Sequence, residues 1–111
     1  MIIVTGATGF IGRRLVKEIV KNFDSSEILC LIWDRDNELE KSGREVLRKL
    51  HLKTKRVDLV TKKGLDNLPK APDLIINLAA NTDTNTRNHS CNDIGVMNLY
   101  EALAPGPNTH F

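Results

Sequence analysis

Hydrophobic and polar positions follow two regimes along this chain, and the switches between them outline its elements. Ile2-Ile3-Val4 is a short apolar run, and apolar residues then recur at Ile11, Leu15, Val16, Ile19, Val20 and Phe23. The first pattern fits a buried strand, the second one stripe of a helix reaching to about Asn22. Asp24-Ser25-Ser26 makes a turn, and Ile28-Leu29-Cys30-Leu31-Ile32-Trp33 returns as a near-continuous apolar run. Such a run marks a parallel strand covered on both faces. Residues 37–51 are charged, with Leu39, Val46, Leu47 and Leu50 on one side. That spacing predicts a second helix with a broad solvated face, weakened in its middle by Gly43. A third strand is expected at 55–59. A helical turn or short helix is expected at 61–68, stopped by Pro69 and Pro72. A fourth strand is expected at 74–79 and a third full helix at 90–103, ended by Pro105-Gly106-Pro107; Thr109-His110-Phe111 reads as the start of a fifth strand. Strands alternating with helices over a single domain, 1–111, predict an α/β protein with a doubly wound parallel sheet.

The junction between the first strand and the first helix carries the chemistry. Thr5-Gly6-Ala7-Thr8-Gly9-Phe10-Ile11-Gly12 places three glycines three apart, between an apolar strand and an amphipathic helix. Gly6 can take backbone angles closed to other residues, and Gly9 leaves no Cβ in the way of an approaching phosphate. Gly12 lets the helix pack closely on the sheet. The N–H groups and positive dipole end of the helix then favour an anion, and in this order of elements that anion is the pyrophosphate of a dinucleotide. Thr5 and Thr8 add hydroxyl donors. A strand–turn–helix that needs glycines for packing alone is the competing reading. A nucleoside triphosphatase is disfavoured, because no Lys follows the loop at the required place.

Three further positions fit the same site. Asp34 closes the second strand 22 positions after Gly12, close to the spacing of about 20 at which an acidic residue meets the adenosine ribose. A carboxylate there accepts both hydroxyls of NAD and repels a 2′-phosphate, whereas Arg35 would pair with that phosphate and admit NADP. Asp34 favours NAD; strand-end solvation would account for either residue. Asp58-Leu59 follows the third strand, where a carboxylate would accept the adenine amine and a leucine would pack on the ring, unless Asp58 is a turn acid. Leu78-Ala79-Ala80 ends the fourth strand with small side chains that leave room for the middle of the cofactor. The polar loop 81–89 follows at the edge over which open α/β sheets bind ligands. Its His89 could serve as an acid–base group, but no partner is visible nearby and a solvated histidine is the simpler reading.

Composition narrows the classes. An apolar content of 41% and a charged fraction of 27% are those of a globular domain, and a net charge of +2 makes no case for nucleic acid or an anionic membrane as partner. The longest apolar runs are too short to span a bilayer. Cys30 and Cys91 are isolated and suggest neither a metal site nor a disulfide framework. With no signal peptide ahead of the first strand, a cytoplasmic protein is expected.

Taken together, the glycine loop, Val57-Asp58-Leu59, Ile76-Asn77-Leu78-Ala79-Ala80 and Asn92-Asp93-Ile94-Gly95-Val96-Met97-Asn98-Leu99 resemble the N-terminal part of an extended short-chain dehydrogenase/reductase. This is the family of NAD(P)-dependent epimerases, dehydratases and reductases, with a Rossmann-type fold. The stretch around Leu29-Cys30-Leu31 is also similar to the fatty acyl and thioester reductase branch, which usually carries an Arg at the strand end where Trp33-Asp34 stands here. The resemblance implies hydride transfer with a Ser or Thr after the fifth strand and a Tyr-x-x-x-Lys pair, the Tyr as acid/base and the Lys lowering its pKa. Tyr100, the one tyrosine, is followed four residues on by Ala104, so no catalytic residue is assigned. The expectation is a truncated fold, the cofactor-binding portion of a longer oxidoreductase or epimerase that would supply the small-molecule site. The alternative is a complete small NAD(P)-binding sensor or interaction module. In the family's strand order the fourth strand lies beside a central first one, so stopping at Phe111 would leave it as an edge, and self-association is expected.

Overall fold

The computed structural model describes residues 1–34, 36–78 and 90–110, with only the backbone of 90–93. Strand β1 (Ile2–Thr5) is buried along its whole length. It leads through the glycine loop into α1 (Phe10–Ile19). A single 3₁₀ turn follows, capped by Asp24, whose carboxylate accepts from the Ser26 N–H at 3.0 Å. Next come β2 (Ile28–Trp33), α2 (Glu38–Lys49), β3 (Lys53–Val57), β4 (Leu74–Asn77) and α3 (Ser90–Leu103). The strands form one parallel sheet in the order β3-β2-β1-β4.

Because successive residues of a strand face opposite sides, each strand feeds two cores. Ile2, Val4, Ile28, Cys30 and Ile32 turn toward Val16 of α1 and Leu47 of α2. Ile3, Leu31, Val57 and Ile75 turn toward Leu99 and Leu103 of α3 and toward Leu59, Leu65 and Leu68. Helices therefore cover both faces, and the sheet is doubly wound. Cys30 is fully buried at its centre, and burial pushes its thiol up to about 12.

Three expectations need adjusting. The third strand is displaced two residues toward the N-terminus, because Lys53-Thr54-Lys55-Arg56 forms an outer strand that tolerates polar side chains. Residues 61–68 make turns rather than a helix. Lys62, Gly64 and Asn67 all have φ between +60° and +80°, a left-handed conformation that no right-handed helix accommodates. Leu65 and Leu68 still reach the core. The fifth strand is present among the described residues as a single parallel bridge, Leu74 to His110. In it the Ile75 N–H donates to the His110 carbonyl at 2.7 Å, and the His110 N–H to the Asp73 carbonyl at 3.0 Å.

Candidate functional site

In a parallel sheet all strands end on one edge, and the register brings the ends of these four together. Thr5 of β1 lies between Leu31 of β2 and Asn77 of β4, and Trp33 lies beside Val57 of β3. The glycine loop, Asp34, Asp58 and Leu78 are the first residues past those ends. One edge therefore carries the glycine loop, Asp34, Asp58 and Leu78.

Within the loop the three glycines have three different reasons. Gly6 has φ +69°, which starts the reversal and is closed to most side chains. Gly12 lies against the loop so closely that a Cβ there would meet the Gly6 carbonyl oxygen at 2.0 Å. Gly9 has φ −71° and ψ 172°, ordinary extended backbone open to any residue. A Cβ built on Gly9 would come no nearer than 3.4 Å to its neighbours. Neither conformation nor packing requires glycine at position 9. What its missing side chain leaves clear is the space in front of the loop, at the start of α1. Gly9 itself supplies no side-chain cap to α1, and the first turn of the helix holds no acidic residue. Phe10 and Ile11, 72% and 73% exposed, flank the opening with apolar surface.

The threonine hydroxyls are committed elsewhere. The Thr8 hydroxyl contacts both carboxylate oxygens of the buried Glu40, at 2.9 and 2.8 Å. Thr5, also buried, donates through its hydroxyl to the Asn77 side chain and accepts from the Leu78 N–H at 3.1 Å. Neither hydroxyl is presented to a phosphate, so the expected donors of the loop are its backbone N–H groups. Behind the loop stands a brace that the hydrophobic pattern does not show. Gly43 of α2 touches the loop so closely that a Cβ would lie 2.5 Å from the Thr8 backbone and side chain. The Arg13 guanidinium donates to the carbonyls of Thr8 at 2.6 Å and Leu39 at 3.3 Å, and its Nε to Gly9 at 3.3 Å. A glycine in mid-helix was the available signal for the close approach. Asn37 with Glu40 three residues on has the look of a reciprocal helix cap, but only Asn37 plays that part, accepting from the Glu40 N–H at 2.8 Å.

At the ends of β2 and β3 the side chains form a charge cluster. Lys63 reaches Asp34 at 2.6 Å and Arg56 reaches it at 3.5 Å. Asp36 meets Arg56 at 2.6 Å and Arg44 at 2.9 Å. The hydrogen bond from Lys63 holds the Asp34 carboxyl below its usual range, and the one from Arg56 does the same for Asp36. Asp58 is occupied as a turn acid, one carboxylate oxygen accepting from the N–H groups of Val60 and Thr61 at 3.0 and 3.2 Å. Leu59 is 8% exposed and packed in the core, so its side chain is not offered to a ring. Leu78, 37% exposed, does face the edge. Arg35, Ala79, Ala80 and His89 lie outside the described residues, as does the Cys91 side chain. Among the described residues no cluster of His, Cys, Asp and Glu could hold a metal, and no helix is long and apolar enough to cross a membrane.

Comparison with known proteins places the chain in a family and a fold. Residues 2–105 match the model of the NAD dependent epimerase/dehydratase family. No curated protein matches at a significant level. Among solved structures, the chain is similar to the NADPH-dependent quinone oxidoreductase QOR2 of Escherichia coli complexed with NADPH, at 17% identity and a TM-score of 0.67. It is also similar to a monomeric L-threonine 3-dehydrogenase from a metagenome, in its apo form, at 20% identity and a TM-score of 0.60. Each likeness covers 92% of this chain but only 32% of the other, so the chain spans a minor share of the length of these structures.

Proposed function

We propose that this chain, which belongs to the NAD-dependent epimerase/dehydratase family, holds the nicotinamide dinucleotide of an oxidoreductase or epimerase. The backbone of 6–12 takes the pyrophosphate, the ends of β2 and β3 take the adenosine, and Leu78 with Ala79 and Ala80 leaves room for the middle of the cofactor. The observation that carries this reading is Gly9, a glycine that neither its backbone angles nor its neighbours require. Its position at the start of α1 is where an anion gains most from helix N–H groups. The bound group would supply hydride chemistry, while these residues bind and orient it.

The acid–base pair that directs such chemistry is not assigned to this stretch, since Tyr100 has Ala104 four residues on. The 111 residues are therefore expected to bind without turning over substrate. The outer side of β4 past the His110 bridge is a place where a second copy could add a strand, and light scattering on the chain reads that directly. The deciding experiment is calorimetric titration with NAD and NADP. Micromolar binding, lost in Gly9→Leu while the melting profile is kept, is expected. Absence of heat with both dinucleotides, or normal binding by Gly9→Leu, would sink the assignment.

A further inference from the structure

Asp34 favours NAD only so long as its charge stands uncompensated at the end of β2, because repulsion of a 2′-phosphate depends on that charge. Here both of its oxygens meet cations, Oδ2 with Lys63 at 2.6 Å and Oδ1 with Arg56 at 3.5 Å. Asp36 is engaged in the same way by Arg56 and Arg44. The three cations come from three separate places, α2, β3 and the turn after β3, and Asp58 adds a third carboxylate whose charge also acts on Lys63. At Asp36 the carboxylate is the more exposed partner, 63% against 21% for Arg44, but at Asp34 the cations are. The Asp34 side chain is 23% exposed, whereas Lys63 is 72% and Arg56 45% exposed. An ammonium has three donors and a guanidinium five, more than these carboxylate contacts use. Beside the position where the adenosine ribose would lie, the surface thus offers cations and their remaining N–H donors.

We propose that this cluster selects a dinucleotide carrying a 2′-phosphate, NADP, with Lys63 and Arg56 determining the specificity and Asp34 and Asp36 holding them in place. The proposal rests on the dinucleotide reading of the glycine loop. A phosphate arriving there forms charge-assisted hydrogen bonds with groups already gathered on one side of the ribose. Asp34 then acts as an anchor for cations rather than as the acceptor of two ribose hydroxyls.

The test is titration of the full chain with NADP and with NAD at low and moderate salt. NADP is expected to bind about tenfold more tightly at low salt, as charged hydrogen bonds allow, and the gap to narrow as salt screens the exposed cations. Lys63→Gln and Arg56→Gln should each shrink the preference and leave NAD affinity in place, while Asp34→Asn should not weaken NAD binding. Lys63 supports the local fold through its backbone carbonyl, which accepts from the Asp58 N–H at 2.8 Å, so Lys63→Gln keeps that contact. Equal or tighter binding of NAD by the unaltered chain would overturn the proposal, as would a preference that survives both substitutions or a selective loss of NAD binding in Asp34→Asn. Binding of NAD without preference sinks the specificity alone, whereas binding of neither dinucleotide sinks the loop assignment with it.

Discussion

The starts of α1 and α2 lie against each other and are built in opposite ways. α2 begins with Asn37 accepting from the Glu40 N–H, and its first turn carries Glu38 and Glu40. Its exposed donors and positive dipole end are met from within the chain. α1 begins on Gly9, with no side-chain cap and no acid in its first turn. A helix start left in this state, beside a neighbour that is capped, is what the proposed pyrophosphate site requires. Glu40 joins the two, since the carboxylate in the first turn of α2 receives the Thr8 hydroxyl of the loop that opens α1.

The largest effect should come from forcing the two helix starts apart. Gly43→Ala puts a methyl 2.5 Å from Thr8, and relief of such overpacking typically costs about 1–3 kcal/mol. Urea unfolding should show that loss, and dinucleotide affinity should fall with it. A variant with unchanged midpoint would mean that α2 does not brace the loop.

Giving α1 the kind of cap that α2 has is the sharper experiment. Gly9→Asp should leave the unfolding midpoint level or slightly raised, since Asp and Gly differ as caps by only a few tenths of a kcal/mol. Titration should show dinucleotide binding abolished. Asn37→Ala should do the reverse, costing about 1 kcal/mol of stability with binding retained once the chain is folded. If both substitutions acted alike, the contrast between the two starts would have no functional content.

Acid acting on the charge cluster ahead of α2 should produce the smallest change. Asp34 and Asp36 have their carboxyls lowered from the ordinary 3.8 by Lys63 and Arg56. In that window the unfolded chain binds more protons than the folded one, so their contribution is present above the ordinary value and lost as pH falls below it. Both lie at an open surface, where such pairs contribute little. The difference in midpoint between the unaltered chain and a D34N/D36N double variant should shrink toward zero on acidification. A difference that grew would assign these carboxylates the opposite sign.

Much of this arrangement could be read from the residues in order. β2 and α3 have the expected bounds, because an unbroken apolar run and the stop at 105–107 leave little choice. The turn glycines are where the loop needs them. The 61–68 segment was not legible as turns, since Leu65 and Leu68 have a spacing that a helix would also give, and only the left-handed angles at Lys62, Gly64 and Asn67 separate the two. The partners of the site residues were not legible either. Thr8 finds Glu40 32 positions away and Asp34 finds Lys63 29 away. Such pairings depend on how α2 and β3 dock, and no local pattern encodes that.

The central place of β1 has a consequence for how the chain comes into being. Made before both of its neighbours, β1 is flanked on one side by β2 and on the other by β4, whose first residue, Leu74, pairs with Ile2. Thr5 and its partner Asn77 are 72 residues apart. At a synthesis rate of about 5–20 residues per second, β1 waits roughly 4–14 s for that partner to be translated. During that interval one whole side of a strand that is buried in the finished fold has no neighbour of its own, and closing so long a loop is among the slower steps a domain can require. Nascent chains of this protein should therefore be clients of ribosome-bound chaperones until Leu74–Asn77 has emerged.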